Sequence, residues 1–112
     1  MPKIDSFRFG QITIDGKGYT SDVVIFPNRV NSSWWRKEGH ELNPEDIKEI
    51  LEEKPELLIV GTGTSGLMKV KEETRKILEE KGIRLIERRT PEACKLYNES
   101  KGKVVAALHL TC

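Results

Sequence analysis

The chain is poor in cysteine, histidine and glutamine, and it has no long apolar run. Its two cysteines, Cys94 and Cys112, stand among 112 residues. That is too few for the disulfide framework of a small secreted domain, so both are read as reduced thiols. The two histidines, His40 and His109, do not make a metal site without further ligands. No metal and no other cofactor is expected. No apolar stretch approaches the roughly 20 residues of a membrane helix. The opening Met1-Pro2-Lys3-Ile4-Asp5 is polar, where a secretory leader would be charged and then apolar. A cytoplasmic location with no membrane association is the expectation. An excess of one charge is also missing: 19 Lys and Arg face 18 Asp and Glu. A general nucleic-acid binder normally carries a clear basic excess, so no nucleic-acid partner is expected. A single glutamine, Gln11, among many lysines and glutamates is a composition seen in heat-adapted proteins.

What is present is an ordered series of strand and helix signals in a chain long enough for one domain, residues 1–112. Residues 7–14 have strand composition, Asp15-Gly16 is a hairpin turn signal, and Lys17-Gly18-Tyr19 begins a return strand. Gly10 inside the first run reads as a bulge or a close backbone approach. Val23–Phe26 is a β-branched apolar run stopped by Pro27. Asn43-Pro44-Glu45-Asp46 is a helix start, with a capping residue, a proline at the first position and acids at the positive end of the dipole. Pro55 ends that helix, and Leu57–Val60 is a short buried strand. Residues 71–81 form a helix closed by Gly82. The run 83–87 is a strand, a third helix starts at Thr90-Pro91, and 104–110 is the closing strand. A β meander followed by alternating helices and strands gives an α/β fold with a mostly parallel sheet and right-handed crossovers. The meander adds antiparallel strands or a second small sheet.

The stretch Gly61-Thr62-Gly63-Thr64-Ser65-Gly66 follows the buried strand, and ligands in open α/β sheets bind at such carboxyl ends. If a helix follows directly, backbone N–H groups of the turn, with the hydroxyls of Thr62, Thr64 and Ser65, suit a phosphate or carboxylate. The spacing of Gly61, Gly63 and Gly66 matches G-x-G-x-x-G, but a meander precedes it and the chain is short for a dinucleotide domain. No Gly-Lys-Ser/Thr occurs, so a nucleotide P-loop is excluded. The competing account is a tight connection that needs glycine for its backbone angles. Arg36, Lys69, Arg88 and Arg89 are the cations that could clamp an acidic ligand at this turn, against a plain solvated basic turn. Trp34 and Trp35 are the candidate partner-binding residues, against core packing and edge cover. His109 and Cys112 are three apart. On an extended strand such positions face opposite sides, so they read as a polar tail, with Cys94 in the core. No catalytic residues are assigned.

A family resemblance joins these segments. Trp34-Trp35-Arg36, Gly61-Thr62-Gly63, Leu67-Met68-Lys69-Val70, Gly82-Ile83, Thr90-Pro91-Glu92-Ala93-Cys94, Tyr97-Asn98 and His109-Leu110-Thr111-Cys112 occur in the order that resembles domain-of-unknown-function family 498. The adipogenesis-associated branch is closer than that of mitochondrial complex I assembly factor 3. The resemblance implies a three-layer α/β fold, with a central mixed sheet, helices, and the N-terminal meander as an additional β layer. It implies no established enzymatic activity and supplies no catalytic residues. Assembly or regulatory roles are what it implies, and it draws the glycine turn, Arg36 and Tyr97-Asn98 together as one pocket. The expected function is therefore a non-enzymatic binding or assembly module. The alternative is a small-molecule binding protein or enzyme, with a site for an anion, phosphate or carboxylate, at residues 61–66.

Overall fold

The closing strand of the sequence is the middle strand of the main sheet. In the computed structural model, which describes residues 1–112, strand β10 (Val104–His109) is buried along its whole length. It lies between β4 (Val23–Phe26) and β7 (Leu57–Thr62). The outer strands are β5 (Arg29–Asn31) beyond β4 and β9 (Arg84–Arg88) beyond β7. Strands β10, β7 and β9 run parallel, whereas β4 and β5 add as an antiparallel pair. A strand covered on both faces needs apolar residues at every position, and Val-Val-Ala-Ala-Leu supplies them.

Period-two alternation divides the core into two layers. Val23, Ile25, Ile59, Val104, Ala106 and Leu108 share one layer. The residues between them (Val24, Phe26, Leu58, Val60, Val105 and Ala107) share the other. The first face is covered by α3 (Thr90–Glu99) and by a separate antiparallel sheet of β1 (Ile4–Arg8), β2 (Gln11–Ile14) and β3 (Lys17–Tyr19). Tyr97 and Asn98 hold that sheet in place. The Tyr97 hydroxyl donates to the Pro2 carbonyl at 2.7 Å, and the Asn98 amide brackets the Ile4 backbone at 3.0 and 2.7 Å. They do not share a pocket with the glycine turn, contrary to the implication of the resemblance.

The second face is covered by a 3-10 turn (Pro44–Ile47) leading into α1 (Lys48–Glu53), and by α2 (Glu72–Glu80). The start at residue 43 is as expected, with the Asp46 carboxylate accepting the Asn43 N–H at 2.8 Å. The N-terminal meander forms its own layer, as the sequence order implied. Its first run is two strands, however, turned at Gly10 (φ +77°). A Cβ on Gly10 would meet open space, so it is a turn glycine and not a bulge; the close backbone approach is its N–H, which donates to the Leu110 carbonyl at 2.9 Å.

One larger difference concerns the glycine stretch. Strand β7 continues through Gly61 and Thr62, and α2 begins only at Glu72. Between them, β8 (Lys69–Val70) pairs in parallel with β6 (Glu41–Leu42). The Lys69 N–H donates to the His40 carbonyl at 2.8 Å, and Thr74 Oγ1 donates to the Leu42 carbonyl at 2.8 Å. The glycine turn is thus not the N-terminus of a helix, and no helix dipole is aimed from it.

Candidate functional site

The carboxyl edge of the parallel strands brings the polar ends of the buried runs together. Register places His109 beside Thr62, and Gly61 beside Arg88. Continuing the antiparallel register past Leu108–Val23 sets His109 opposite Asp22. By strand alternation Asp22, Thr62 and His109 project toward the second face, where Met68 packs.

Above β4 and β10 the charges are paired and enclosed. The Arg36 side chain is 7 % exposed and that of Asp22 17 %. Asp22 Oδ2 accepts from Arg36 Nη2 and from His109 Nδ1, the latter at 2.7 Å. Its other oxygen accepts the Leu110 N–H at 2.8 Å. Arg36 Nη1 donates to the Gly39 carbonyl at 2.7 Å and reaches Met68 Sδ at 2.8 Å. Its guanidinium lies 5.3 Å from the centre of the Trp34 ring. Burial acts to raise the Asp22 pKa. The His109 hydrogen bond, the Leu110 amide and the positive charges of His109 and Arg36 outweigh it, and Asp22 stays below its usual value. Through the same bond Asp22 raises the His109 pKa, against desolvation and the repulsion of Arg36. Donation from Nδ1 to Asp22 fixes the imidazole tautomer and leaves Nε2, which is buried, without a hydrogen bond.

Residues 110–112 turn back over this cluster. Leu110 is buried in the core, and the Thr111 carbonyl accepts the Thr64 N–H at 3.2 Å. Cys112 (φ +51°) then sits with its Sγ 3.2 Å from His40 Nε2. His109, His40 and the Thr111 hydroxyl, in that order, hold the Cys112 thiol down to about 7. His109 lowers the Cys112 pKa, although its Nε2 makes no hydrogen bond; the ring nitrogen in contact with the sulfur is His40 Nε2. The expected polar tail is therefore corrected. His109 is buried, and because the strand ends there, alternation no longer separates it from Cys112. Cys94 is a core residue, its thiol pushed up to about 12 by burial.

Above β7 and β9 the charges are exposed. An open cavity of about 410 Å³ is bounded by Thr62, Ser65, Gly66, Lys69, Arg88 and Arg89, with Arg75 and Glu87 on its rim. Arg75 and Glu87 form an ion pair. Lys69, Arg88 and Arg89 have no acidic partner; Arg88 Nη1 meets only the Glu87 carbonyl, at 2.7 Å. Three amides of the turn are already engaged. Gly63 N–H donates to Thr90 Oγ1 at 2.9 Å, Thr64 N–H to Thr111, and Gly66 N–H to the Gly63 carbonyl at 3.2 Å. A backbone cradle of the kind expected from the glycines is not formed. The Thr62 hydroxyl donates to the Arg88 carbonyl at 3.1 Å, so ligand contacts here fall to cationic side chains and to the Ser65 hydroxyl. A second depression, of about 470 Å³, lies among Lys48, Leu51, Lys54, Pro55 and Lys81. It borders the amino ends of β7 and β9, away from the edge where such sheets bind ligands.

The sequence candidates thus separate. Thr62, Ser65 and Arg88 border the open cavity. Gly61 is buried within β7, where a Cβ would lie 2.9 Å from Leu108 Cδ2 and from Thr90 Oγ1. Gly63 (φ +103°) packs so tightly that a Cβ would lie 2.4 Å from the Thr111 carbonyl oxygen. Thr64 Oγ1 is enclosed with no partner. Arg36 is bound to Asp22 and is not free for a ligand at the turn. Trp34 is half-buried, with Nε1 donating to the Asp46 carbonyl at 3.0 Å, whereas Trp35 is 74 % exposed. Asp22 was missed altogether. A lone acid directly before an apolar strand, facing a histidine that ends another, was the available signal. No group of three or more His, Cys, Asp or Glu side chains could hold a metal, and no helix is long and apolar enough to cross a membrane.

Comparison with known proteins accounts for nearly the whole chain. A family model described as "Protein of unknown function (DUF498/DUF598)" matches residues 4–109. The conserved hypothetical protein PH1505 of Pyrococcus horikoshii OT3 is 35 % identical, with a TM-score of 0.85 over 98 % of this chain and 99 % of its own. A protein named MT938 is 31 % identical with a TM-score of 0.82, each chain covered completely. A Bartonella henselae protein described as an outer membrane protein is 26 % identical with a TM-score of 0.85, over 99 % of this chain and 96 % of its own.

Proposed function

We propose that this chain, which belongs to the DUF498/DUF598 family, is a binding module that takes a small anion, a phosphate or carboxylate, at the carboxyl edge of β7 and β9. The observation that carries this reading is the set of three cations, Lys69, Arg88 and Arg89, around a cavity whose one acid, Glu87, is paired with Arg75. Two arginines bordering one cavity suit the paired oxygens of carboxylate or phosphate. The Ser65 hydroxyl adds a polar contact. Such a site is exposed, so its affinity falls with ionic strength. Titration with inorganic phosphate and with citrate, followed by amide chemical shifts, tests it. Shifts are expected at Thr62, Ser65, Gly66, Arg88 and Arg89, with saturation. A flat titration, or shifts confined to the depression beside Lys54 and Lys81, contradicts it.

A protein-partner reading rests on Trp35. Its ring is exposed while its neighbour Trp34 is fixed to Asp46 and stacked near Arg36, which gives the exposed ring a rigid base. Interface anchors are enriched in such residues, so Trp35→Ala is expected to weaken binding of a protein partner by about 2 kcal/mol or more. Unchanged affinity ends this reading.

A further inference from the structure

The pairing of Asp22 with His109 leaves one ring nitrogen unused. His109 is 5 % exposed, its Nδ1 is held by Asp22 at 2.7 Å, and its buried Nε2 has no hydrogen bond. A buried polar atom without a partner is costly and is a sign of function where it persists. Its surroundings show where it faces. A Cβ placed on Gly63 would lie 3.0 Å from His109 Cδ2, the ring carbon bonded to Nε2, and 3.1 Å from the carbonyl carbon of Cys112. The Nε2 side of the imidazole and the Cys112 backbone therefore pack against the same residue, Gly63. From the other side His40 Nε2 approaches Cys112 Sγ at 3.2 Å. Cys112 is half-buried, whereas Cys94 is buried.

We propose that Cys112, backed by His109 and Asp22, is a nucleophilic thiol site that takes a low-molecular-weight disulfide by thiol–disulfide exchange. The arrangement has the order of an activated nucleophile: thiol, base, and a third group that orients the base. In the step, His109 Nε2 accepts the Cys112 proton and the thiolate attacks one sulfur of the disulfide. A bond forms between Cys112 Sγ and that sulfur, and the original S–S bond breaks. The displaced thiolate leaves with the bonding electron pair and takes the proton from His109. Cys112 ends oxidised as a mixed disulfide, and one half of the reagent ends reduced as a free thiol.

Two observations favour this electrophile over an acyl group. A tetrahedral acyl intermediate needs N–H donors aimed at its oxyanion, and the nearby amides of Gly63, Thr64 and Gly66 are engaged within the protein. Exchange passes charge from sulfur to sulfur and needs no such donors. A thiol whose pKa lies near the ambient pH is also the best attacking group in exchange, and Cys112 lies at about 7. The groups that set this value face the sulfur directly or stand behind its base: His109, His40 and the Thr111 hydroxyl at the sulfur, Asp22 and Arg36 beyond. The Cys94 thiol, buried in the core, does not resolve the adduct, which persists until another thiol removes it. This inference does not depend on anion binding at Arg88 and Arg89.

The test uses the reduced, folded protein. Incubation with oxidised glutathione at pH 7, followed by intact-mass and peptide analysis, is expected to give one glutathionyl adduct, on Cys112 and not on Cys94. The rate of alkylation by iodoacetamide is expected to rise with pH about a midpoint near 7. At pH 7 it should be about fivefold above that of an ordinary thiol, once the lower intrinsic nucleophilicity is included. His109→Gln should move the midpoint upward; His40→Gln, at an exposed position, should move it less. An adduct on neither cysteine, or a wild-type midpoint at the ordinary thiol value, overturns the proposal whether or not the His109 variant folds. So does a folded His109→Gln with an unchanged midpoint.

Discussion

The two halves of the sheet's carboxyl edge treat charge in opposite ways. Over β4 and β10, Asp22, Arg36 and His109 are enclosed and paired through the Asp22 carboxylate, with Arg36 Nε and His109 Nε2 left without partners. Over β7 and β9, Lys69, Arg88 and Arg89 are exposed and have no acidic partner. The difference follows from solvation. A charge removed from water must be paired and hydrogen-bonded, so its geometry is fixed by the fold. A charge left in water needs no partner and stays available to a ligand. The enclosed half is therefore built to orient a group, the ring of His109, and the exposed half to receive one.

The comparison breaks first on stability. Asp22→Ala leaves the Arg36 guanidinium enclosed without its carboxylate, and removing one member of a buried pair costs about 3–5 kcal/mol. Arg88→Ser, at an exposed position, should stay within about 0.5 kcal/mol of wild type. Urea unfolding of both variants checks this, and equal losses would erase the distinction. The glycines sharpen it next. In Gly61→Ala the new methyl meets Leu108 and Thr90 at 2.9 Å, and overpacking of this kind costs about 1–3 kcal/mol. A wild-type midpoint in that variant would mean that Gly61 is not required for packing.

The pH dependence is a smaller effect with a defined sign. Asp22 is lowered on folding, so its stabilisation is present above the unfolded value of about 3.9 and is lost as pH falls through the folded one. His109 is raised, so its stabilisation is full below the unfolded value of about 6.5 and is lost as pH rises through the folded one. The pair therefore stabilises most between about pH 4 and 6.5. Asp22→Asn should flatten both limbs in unfolding experiments carried to either side of that range, below about pH 4 and above about 6.5; limbs of unchanged slope would remove the pair from the account. Trp35→Ala should have the least effect on folding, within about 0.5 kcal/mol, because its ring is mostly in water. A larger loss would place Trp35 in the folded structure's support and not on a free surface.

Much of the architecture was legible in the sequence because strand and helix periods are local. The apolar runs at 23–26, 57–60 and 104–110, the cap at 43–44 and the stop at Gly82 each carry their own signal. The two-residue strands β6 and β8 carry none, and they displace the glycine turn from the helix that follows. The enclosed cluster was illegible for a different reason. Asp22 and His109 are 87 positions apart, and only the pairing of β4 with β10 makes them neighbours. His109 and Cys112 were separated by an alternation rule that holds along a strand and stops where the strand does. Arg88, by contrast, could be placed at the turn, because parallel pairing of two predicted strands fixes which ends meet.

Thermal unfolding of the wild type and of an Arg88→Ser/Arg89→Ser double variant, each with and without inorganic phosphate, tests the division of labour most directly. The account predicts equal midpoints without phosphate and an upward shift with phosphate in the wild type alone. At a hundredfold excess over the dissociation constant, that shift corresponds to about 2.7 kcal/mol. An identical phosphate response in both proteins, or none in either, would contradict the claim that the exposed half of this edge is the receiving site.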